Sequence, residues 1–499
     1  MQTILMPAQM RLLEEQAFSL GVPSLLLMEN AARGAYAEII RTYGDVRGKQ
    51  ILFLIGTGNN GGDGLALARL CKLAGAHPFL VLTGEVKTPD AQANLRYVKA
   101  LGIPMLNWTS AVAETALPHG VDLIVDAVYG TGFHGELPAQ AGRLFRCVAQ
   151  FQAPCVAIDV PSGMDSLTGH FHLQALPASL TLALGHYKIG HLLTRSPELL
   201  GTLHLMPIGI PDKAYEIPAL DNLITSLDAE DLQTRLPKRL PNAHKGDNGR
   251  VLLYMGSMGM AGAAAMAAQA AEACLRSGAG LLTFVCEPDL IPIFQTLVPN
   301  ATCVTLDQAR KNRPKYDVFA SGCGLGQSEA IWENILSLWD REKPSVWDAD
   351  ALNLLARHPM NLGGKAVLTP HPGEAARLLD ASPSDIVFDP LAAAFELQRR
   401  YGGTVVLKGA NTFIRDARST AINRVGSPAL AKGGSGDALA GIIAALLAQQ
   451  GKEAPIESAK TACLWHGMAG KAAQARLGVL SPLTGDVISS LGLVAKANE

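Results

Sequence analysis

The stretch Lys432-Gly433-Gly434-Ser435-Gly436-Asp437 runs straight into Ala438-Leu439-Ala440-Gly441-Ile442-Ile443-Ala444-Ala445-Leu446-Leu447, and it constrains this chain more than any other. Three glycines in four positions let a backbone approach a ligand closely and turn its N–H groups toward it. The apolar run behind them holds good helix formers and no breaker after Gly441. The glycines therefore sit at a helix N-terminus, where unpaired N–H groups and the helix dipole favour an anion. A carboxylate beside a bound phosphate is repelled unless it faces the other reactant. Asp437 is thus either a base that takes a proton from a hydroxyl or a helix N-cap.

Short apolar runs followed by polar, glycine-bearing turns recur along the chain. Residues 7–42 read as helical, broken at Gly21-Val22-Pro23. The pattern then runs through strand Gln50–Ile55, helix Leu65–Ala74, strand Pro78–Thr83, helix Asp90–Leu101, strand Val121–Val128, helix Pro138–Phe151 and strand Pro154–Asp159. This alternation predicts a doubly wound parallel sheet, with ligands at the strand C-termini. It degrades over 211–245, where Pro211, Pro218, Pro237 and Pro241 fall among charged residues, so a boundary is expected near 215–225. A second α/β pattern follows: Arg250–Met255, helix Ala261–Ser277, Leu281–Cys286, Val318–Ala320, Ala366–Thr369, Thr404–Lys408, and helices over 437–449 and 456–477. The reading is α/β in two doubly wound units, 1–220 and 221–499. With 499 residues, 48% of them hydrophobic, the chain is long enough to bury two sizeable cores.

Gly56-x-Gly58-x-x-Gly61 after a strand matches the dinucleotide fingerprint, with Glu85 at the end of the next strand, and alone it suggests a dehydrogenase. Asn59, Asn60 and Asp63 argue otherwise. They crowd the turn with side chains where a pyrophosphate needs bare backbone, and they suit a hydroxylated or amide-bearing ligand. Asp126 and Asp159 each end an apolar run, one before Ala127-Val128-Tyr129-Gly130-Thr131-Gly132-Phe133-His134-Gly135-Glu136, the other before Val160-Pro161-Ser162-Gly163. Asn60, Asp126 and Ser162 are hard oxygen donors suited to an alkali cation. As isolated residues, Asp126 also reads as a loop cap and Ser162 as a turn residue.

These motifs, with Met28-Glu29-Asn30-Ala31-Ala32, resemble the NAD(P)H-hydrate epimerase family over about residues 9–214. Over about 225–495 the chain resembles the ADP/ATP-dependent NAD(P)H-hydrate dehydratases, which have a ribokinase-like fold. The second likeness rests on an ordered series: His244-Lys245-Gly246, Gly249–Leu253, Gly256-Ser257, Ala261-Gly262-Ala263, Arg276–Leu281, Gly322–Gly326, Asp348–Leu352, Thr369–Glu374, Lys408–Thr412 and Gly433–Asp437. The arrangement in one chain is similar to the bacterial bifunctional NAD(P)H-hydrate repair enzymes.

The resemblance implies a Rossmann-like three-layer epimerase domain and a ribokinase-like dehydratase domain. The first interconverts R and S hydrates of NADH or NADPH. The second phosphorylates the S-epimer's hydroxyl with ADP, ATP being the alternative, and eliminates phosphate. By motif, Asn59, Asn60, Gly61, Gly62, Asp63, Gly130, Thr131, Gly132, Phe133, His134, Gly135, Glu136 and Asp159 contact the epimerase substrate, Asp159 being catalytic. Asn60, Asp126 and Ser162 hold potassium. In the second domain Ala263, Gly324, His371 and Asp437 face the hydrate, Asp437 being catalytic. Lys408, Gly409, Ala410, Asn411, Thr412, Pro428, Ala429, Leu430, Ala431, Lys432, Gly433, Gly434, Ser435 and Gly436 bind the nucleotide, with Mg2+ expected to accompany it. His134 stands where some relatives carry a longer basic residue.

The residue chemistry fits on its own terms. A hydroxyl leaves poorly and a phosphate leaves well, so an anion-holding turn beside a base suits phosphoryl transfer to an alcohol. Lys408 reads as a point charge for a phosphate or as a surface lysine; His371, between two prolines, as a substrate hydrogen-bond partner or a structural residue. A ribokinase-like vitamin-precursor kinase fused to a nucleotide-binding domain is the alternative enzyme, and a non-catalytic nucleotide sensor the alternative class. A net charge of -2 gives no electrostatic case for nucleic acid or an anionic membrane. The eight scattered cysteines, without a C-x-x-C pair, and the lack of a signal-peptide pattern lead us to expect a cytoplasmic protein. A homo-oligomer is expected.

Overall fold

The computed structural model describes residues 2–109, 111–112, 116–220, 223–257, 261–450 and 455–498; the side chains of 219 and 261–264 lie outside the described set. The chain divides into two compact units, Thr3–Leu223 and Ile224–Glu499, the latter with Met1–Gln2. Among the described residues no helix is long and apolar enough to cross a membrane.

The first unit is built on a seven-stranded parallel sheet. Its strands lie in the order Met105–Asn107, His77–Leu82, Gln50–Ile55, Leu123–Ala127, Cys155–Ile158, Leu180–Leu184, Thr202–Met206. The chain winds outward in one direction from Gln50–Ile55 and in the other from Leu123–Ala127. Those two strands, in register Leu54↔Asp126 and Ile55↔Ala127, flank the topological switch point. Leu180–Leu184 and Thr202–Met206 are strands the sequence does not announce, because each is a Leu-rich run with a single β-branched residue. A short parallel pair, Gln2–Leu5 with Tyr187–Lys188, completes the strands (Leu5↔Lys188).

The helix after Gln50–Ile55 begins at Asn59, six positions before Leu65, and takes the glycines into its first turns. A Cβ on Gly61 would stand 2.1 Å from the Gly56 carbonyl oxygen, and one on Gly64 2.5 Å from Ala127 Cβ. One on Gly62 would stand 2.5 Å from Met28 Cε. These glycines seat the helix against the sheet.

In the second unit the strand order is Thr302–Val304, Leu281–Val285, Arg250–Tyr254, Val318–Ser321, Ser345–Trp347, Ala366–Leu368, Thr404–Leu407, all parallel. Thr412–Arg415 and Thr420–Asn423 continue it antiparallel, and Ile224–Leu227 joins parallel to the last. The switch point lies between Arg250–Tyr254 and Val318–Ser321. The glycine-turn helix spans Ser435–Gln449, two positions earlier than read from sequence, and is almost wholly buried. It packs on helix Ala261–Arg276 so closely that a Cβ on Gly441 would lie 2.0 Å from the Ala270 carbonyl oxygen.

Candidate active sites

A cavity of about 580 Å³ opens at the first unit's switch point. Asn59, Asn60, Asp63, Gly130, Thr131, Gly132, Phe133 and Asp159 line it. Of the other expected substrate contacts, Gly61 and Gly62 are buried in helix packing. His134, Gly135 and Glu136 do not line it. His134 pairs instead with Asp165 (Nδ1 to Oδ2, 3.2 Å), and the exposed Glu136 meets His172 Nε2 at 3.0 Å.

Asp159 follows Cys155–Ile158 with φ +67°, a left-handed conformation that costs about 1–2 kcal/mol without glycine. The neighbours that hold it there also aim it. Its N–H donates to Leu182 O at 2.8 Å, and its Oδ1 accepts from Leu184 N–H at 3.0 Å. Lys188, 1% exposed, donates from Nζ to the same Oδ1 and, at 2.6 Å, to Leu184 O. Sequence reasoning misses Lys188. The available signal is a lysine flanked by Tyr187 and Ile189 in a short strand.

Glu14, Glu15, Asp63 and Asp90 also line this cavity. Burial pushes Glu14 up to about 7, Asp159 reinforcing and Lys188 opposing. Burial, then the charges of Asp159 and Glu14, pushes Asp63 well above the usual carboxylate range. The cavity's two cations, Lys188 and Arg11, are outnumbered by its carboxyls. Near neutrality Glu14, which titrates at about 7, can therefore serve beside Asp159 as either a proton donor or a proton acceptor.

Asp126 is fully buried in strand Leu123–Ala127. Its Oδ1 accepts Ser162 Oγ–H at 2.6 Å and Val128 N–H at 3.2 Å, and its Oδ2 accepts Ser162 N–H at 2.8 Å. Burial raises its carboxyl against those donors. Asn60 lies against the Gly130 turn, where a Cβ would sit 3.3 Å from the Asn60 side chain; its Oδ1 and Nδ2 are buried without a hydrogen-bond partner. An orphaned amide oxygen, one buried carboxylate and a buried hydroxyl form a hard-oxygen set with a single negative charge, which fits a monovalent cation.

In the second unit two cavities, of about 560 and 810 Å³, share His371, Lys408, Gly409, Thr412, Leu430, Ala431, Leu439 and His466. Lys432, Gly433, Ser435, Gly436 and Asp437 line the smaller; Ala410 and Pro428 line the larger. Asn411, Ala429, Gly434 and Gly324 line neither. Ala429 is buried, and Gly434 caps the helix at φ +86°. The Gly324 carbonyl accepts Ser257 Oγ–H at 2.9 Å. Ala263 falls in the first turn of Ala261–Arg276, its side chain outside the described set.

Lys408 Nζ sits 2.9 Å from Asp348 Oδ1 and 3.9 Å from Glu374 Oε2. Burial opposes its charge, but those two carboxylates outweigh it and hold the ammonium above its usual range. A Cβ on Gly436 would stand 3.0 Å from Nζ, so glycine there admits the lysine to the phosphate turn. Burial, then the Asp348 charge, raises the Asp437 carboxyl, toward the range in which a carboxylate works as a base near neutral pH.

His371 does two things. Its Nδ1 accepts from Gly373 N–H at 3.0 Å and Glu374 N–H at 3.4 Å, capping helix Pro372–Leu379. That leaves Nε2, 3.4 Å from Glu374 Oε1, as the N–H of the neutral ring, and burial together with the Lys408 and Arg377 charges lowers the ring's pKa, favouring that neutral form. Asp348 and Glu374 lie in motifs visible in the sequence, but their pairing with Lys408 joins three strand ends and is tertiary.

A family model described as NAD(P)H-hydrate dehydratase matches residues 251–491, and one described as YjeF-related protein N-terminus matches 24–190. The chain is 36% identical to the bifunctional NAD(P)H-hydrate repair enzyme Nnr of Escherichia coli K12, over 96% of this chain and 90% of that protein. The chain belongs to the bifunctional NAD(P)H-hydrate repair enzyme family. The Moorella thermoacetica member is 34% identical over 95% of this chain and 93% of its own. The ADP/ATP-dependent NAD(P)H-hydrate dehydratase of Bacillus subtilis, co-crystallized with ATP/Mg2+, superposes with a TM-score of 0.50 at 30% identity, over 55% of this chain and 99% of its own. Membership favours the repair-enzyme reading over the kinase, sensor and dehydrogenase alternatives, and Gly61 of the apparent dinucleotide fingerprint is spent on helix packing.

Proposed function

We propose that the unit Thr3–Leu223 interconverts the R and S hydrates of NADH and NADPH, and that the unit Ile224–Glu499 returns the S hydrate to the reduced cofactor at the expense of ADP, with ATP accepted. In the first cavity Asp159, steadied by Lys188, takes the proton of the hydrate's hydroxyl as the bond from the hydroxyl-bearing carbon to the ring nitrogen opens. A protonated Asp63 or Glu14 gives the nitrogen a proton, and closure on the other face with the protons returned inverts the carbon. Asn59, Asn60 and Gly130–Phe133 hold the substrate. Asn60, Asp126 and Ser162 would hold potassium, a charge shared by loops from three strand ends.

In the second unit Asp437 takes the proton of the hydrate's hydroxyl as its oxygen attacks the terminal phosphoryl group of the nucleotide. Lys408 and the Gly433–Gly436 turn hold the transferring phosphate, and Mg2+ enters with the nucleotide. His371 Nε2–H orients the hydroxyl. Loss of phosphate and one ring proton then restores the double bond. The observation that carries this reading is Asp437 at the first turn of a glycine-turn helix, in one cavity with a lysine held charged.

The test is incubation of the purified protein with mixed NADH hydrate epimers and ADP, or ATP, following reduced-nicotinamide absorbance and phosphate. Recovery of NADH with stoichiometric phosphate is expected. A product that stays phosphorylated would make it a kinase.

A further inference from the structure

The second unit's switch point carries a residue for which the reaction above has no use. Cys323 follows strand Val318–Ser321 and is 2% exposed. Its carbonyl accepts Gly256 N–H at 2.7 Å, from the neighbouring strand end. Gly322 has φ +148°, and a Cβ there would lie 1.8 Å from the Asp348 carbonyl oxygen, so the backbone is wedged against the loop that carries Asp348. The Cys323 sulfur and one carboxylate oxygen each of Asp348 and Asp437 all lie within 4.8 Å of one another.

We infer that Cys323 is a positioning residue for the dehydratase: its thiol donates to the Asp437 carboxylate and holds it in the orientation that receives the hydroxyl proton. The inference rests on Asp437 being the base.

Among the described residues Lys408 pairs with Asp348 and Glu374 and makes no ion pair with Asp437. Asp437 instead has the Cys323 sulfur within 4.8 Å of one of its carboxylate oxygens. Burial and the charges of Asp437 and Asp348 push the thiol well above its ordinary range, so it stays S–H and acts as a donor, not as a nucleophile or a metal ligand. A weak donor suits the task. It fixes a carboxylate's direction while lowering its basicity less than a hydroxyl would. Cys323 lines neither described cavity, so it acts through Asp437 and touches no substrate.

The charged and titratable groups around Asp437 are Asp348, Lys408, Cys323 and, through Lys408 or the shared cavity, Glu374, His371, His466 and Lys432. All but Cys323 are the same in every Cys323 variant, so a difference between variants isolates the thiol.

The experiment is the pH profile of kcat/KM for ADP-dependent NADH recovery in C323A, C323S and D437N, with thermal melts of each. C323A should raise the acid limb by about half to one pH unit, because a donor to the ionised base is lost. It should lower kcat and leave KM for ADP unchanged. C323S, a stronger donor, should bring the limb back to the parent position or below it. A parent-like acid limb in C323A overturns the role of Cys323. If C323A does not fold, C323S decides: a limb at or below the parent pH supports the inference, and one shifted upward sinks it. Full recovery by D437N would instead overturn Asp437 as the base; an inactive D437N with a parent-like C323A refutes the Cys323 role alone.

Discussion

Lys188 delivers its ammonium to the carboxylate of Asp159, a residue held at φ +67°, and both are buried. The main-chain partners of Asp159 come from Leu182 and Leu184, and Lys188 is set by the pairing of Leu5 with it. The carboxylate is therefore aimed before any substrate arrives, and the strain at Asp159 is sustained by its neighbours.

From that pair follows a division of labour. Asp159→Asn and Lys188→Met should each slow epimer exchange by about 10²–10⁴-fold, the usual worth of a placed acid or base. Both should leave ADP-dependent loss of the S hydrate intact. Asp437→Asn should do the opposite. Chromatography of both epimers over time reads each variant. Rapid consumption of the R hydrate by the Asp159→Asn protein would remove Asp159 from the mechanism.

Glu14 ties stability to pH. Its carboxyl titrates at about 7 in the folded protein against an ordinary 4.5, so the folded state favours the protonated form. Its contribution is complete below 4.5 and is lost as pH rises through about 7. Relative to Glu14→Gln, the parent should lose up to about 3 kcal/mol between those limits, at roughly 1.4 kcal/mol for each pH unit that separates them. Urea melts of both proteins at pH 4.5 and 8 test this; a constant difference would mean Glu14 is not desolvated.

The cation set around Asn60 should respond to its one charge. Asp126→Ala leaves a cavity and removes the only formal charge among Asn60, Asp126 and Ser162. Epimerisation should fall at least about tenfold and lose its response to added KCl, with NaCl holding ionic strength constant. Exchange indifferent both to potassium and to Asp126→Ala would argue that the three residues are structural.

Gly441 is a stability test remote from either chemistry. A Cβ there meets the Ala270 carbonyl oxygen at 2.0 Å, and helix Ser435–Gln449 is too buried to shift freely. Gly441→Ala should cost about 1–3 kcal/mol despite alanine's better helix propensity. A thermal melt equal to the parent's would show that the two helices can separate without loss.

The two units should also survive apart. A cut between Leu223 and Ile224 should give two cooperative melts and one activity in each half. Insolubility of both halves, with the whole chain soluble, would refute independent cores.

The sequence alone determined the α/β class, the alternation of strands and turns, and the helix behind Gly433–Gly436, because short apolar runs and glycine spacing are local signals. It also placed Asp126, Asp159, Lys408 and Asp437 at strand or helix ends, where doubly wound sheets keep their ligands. Tertiary structure alone decided the rest. Gly61 and Gly62 became packing glycines because their helix presses on Gly56 and Met28, contacts that no local pattern carries. His134 and Glu136 turned away to Asp165 and His172. Lys188 reached Asp159, Lys408 reached Asp348, and Cys323 reached Asp437 across 29, 60 and 114 positions of chain respectively. Such pairings come from strand order, and with them the buried charges that set each carboxyl's affinity for a proton.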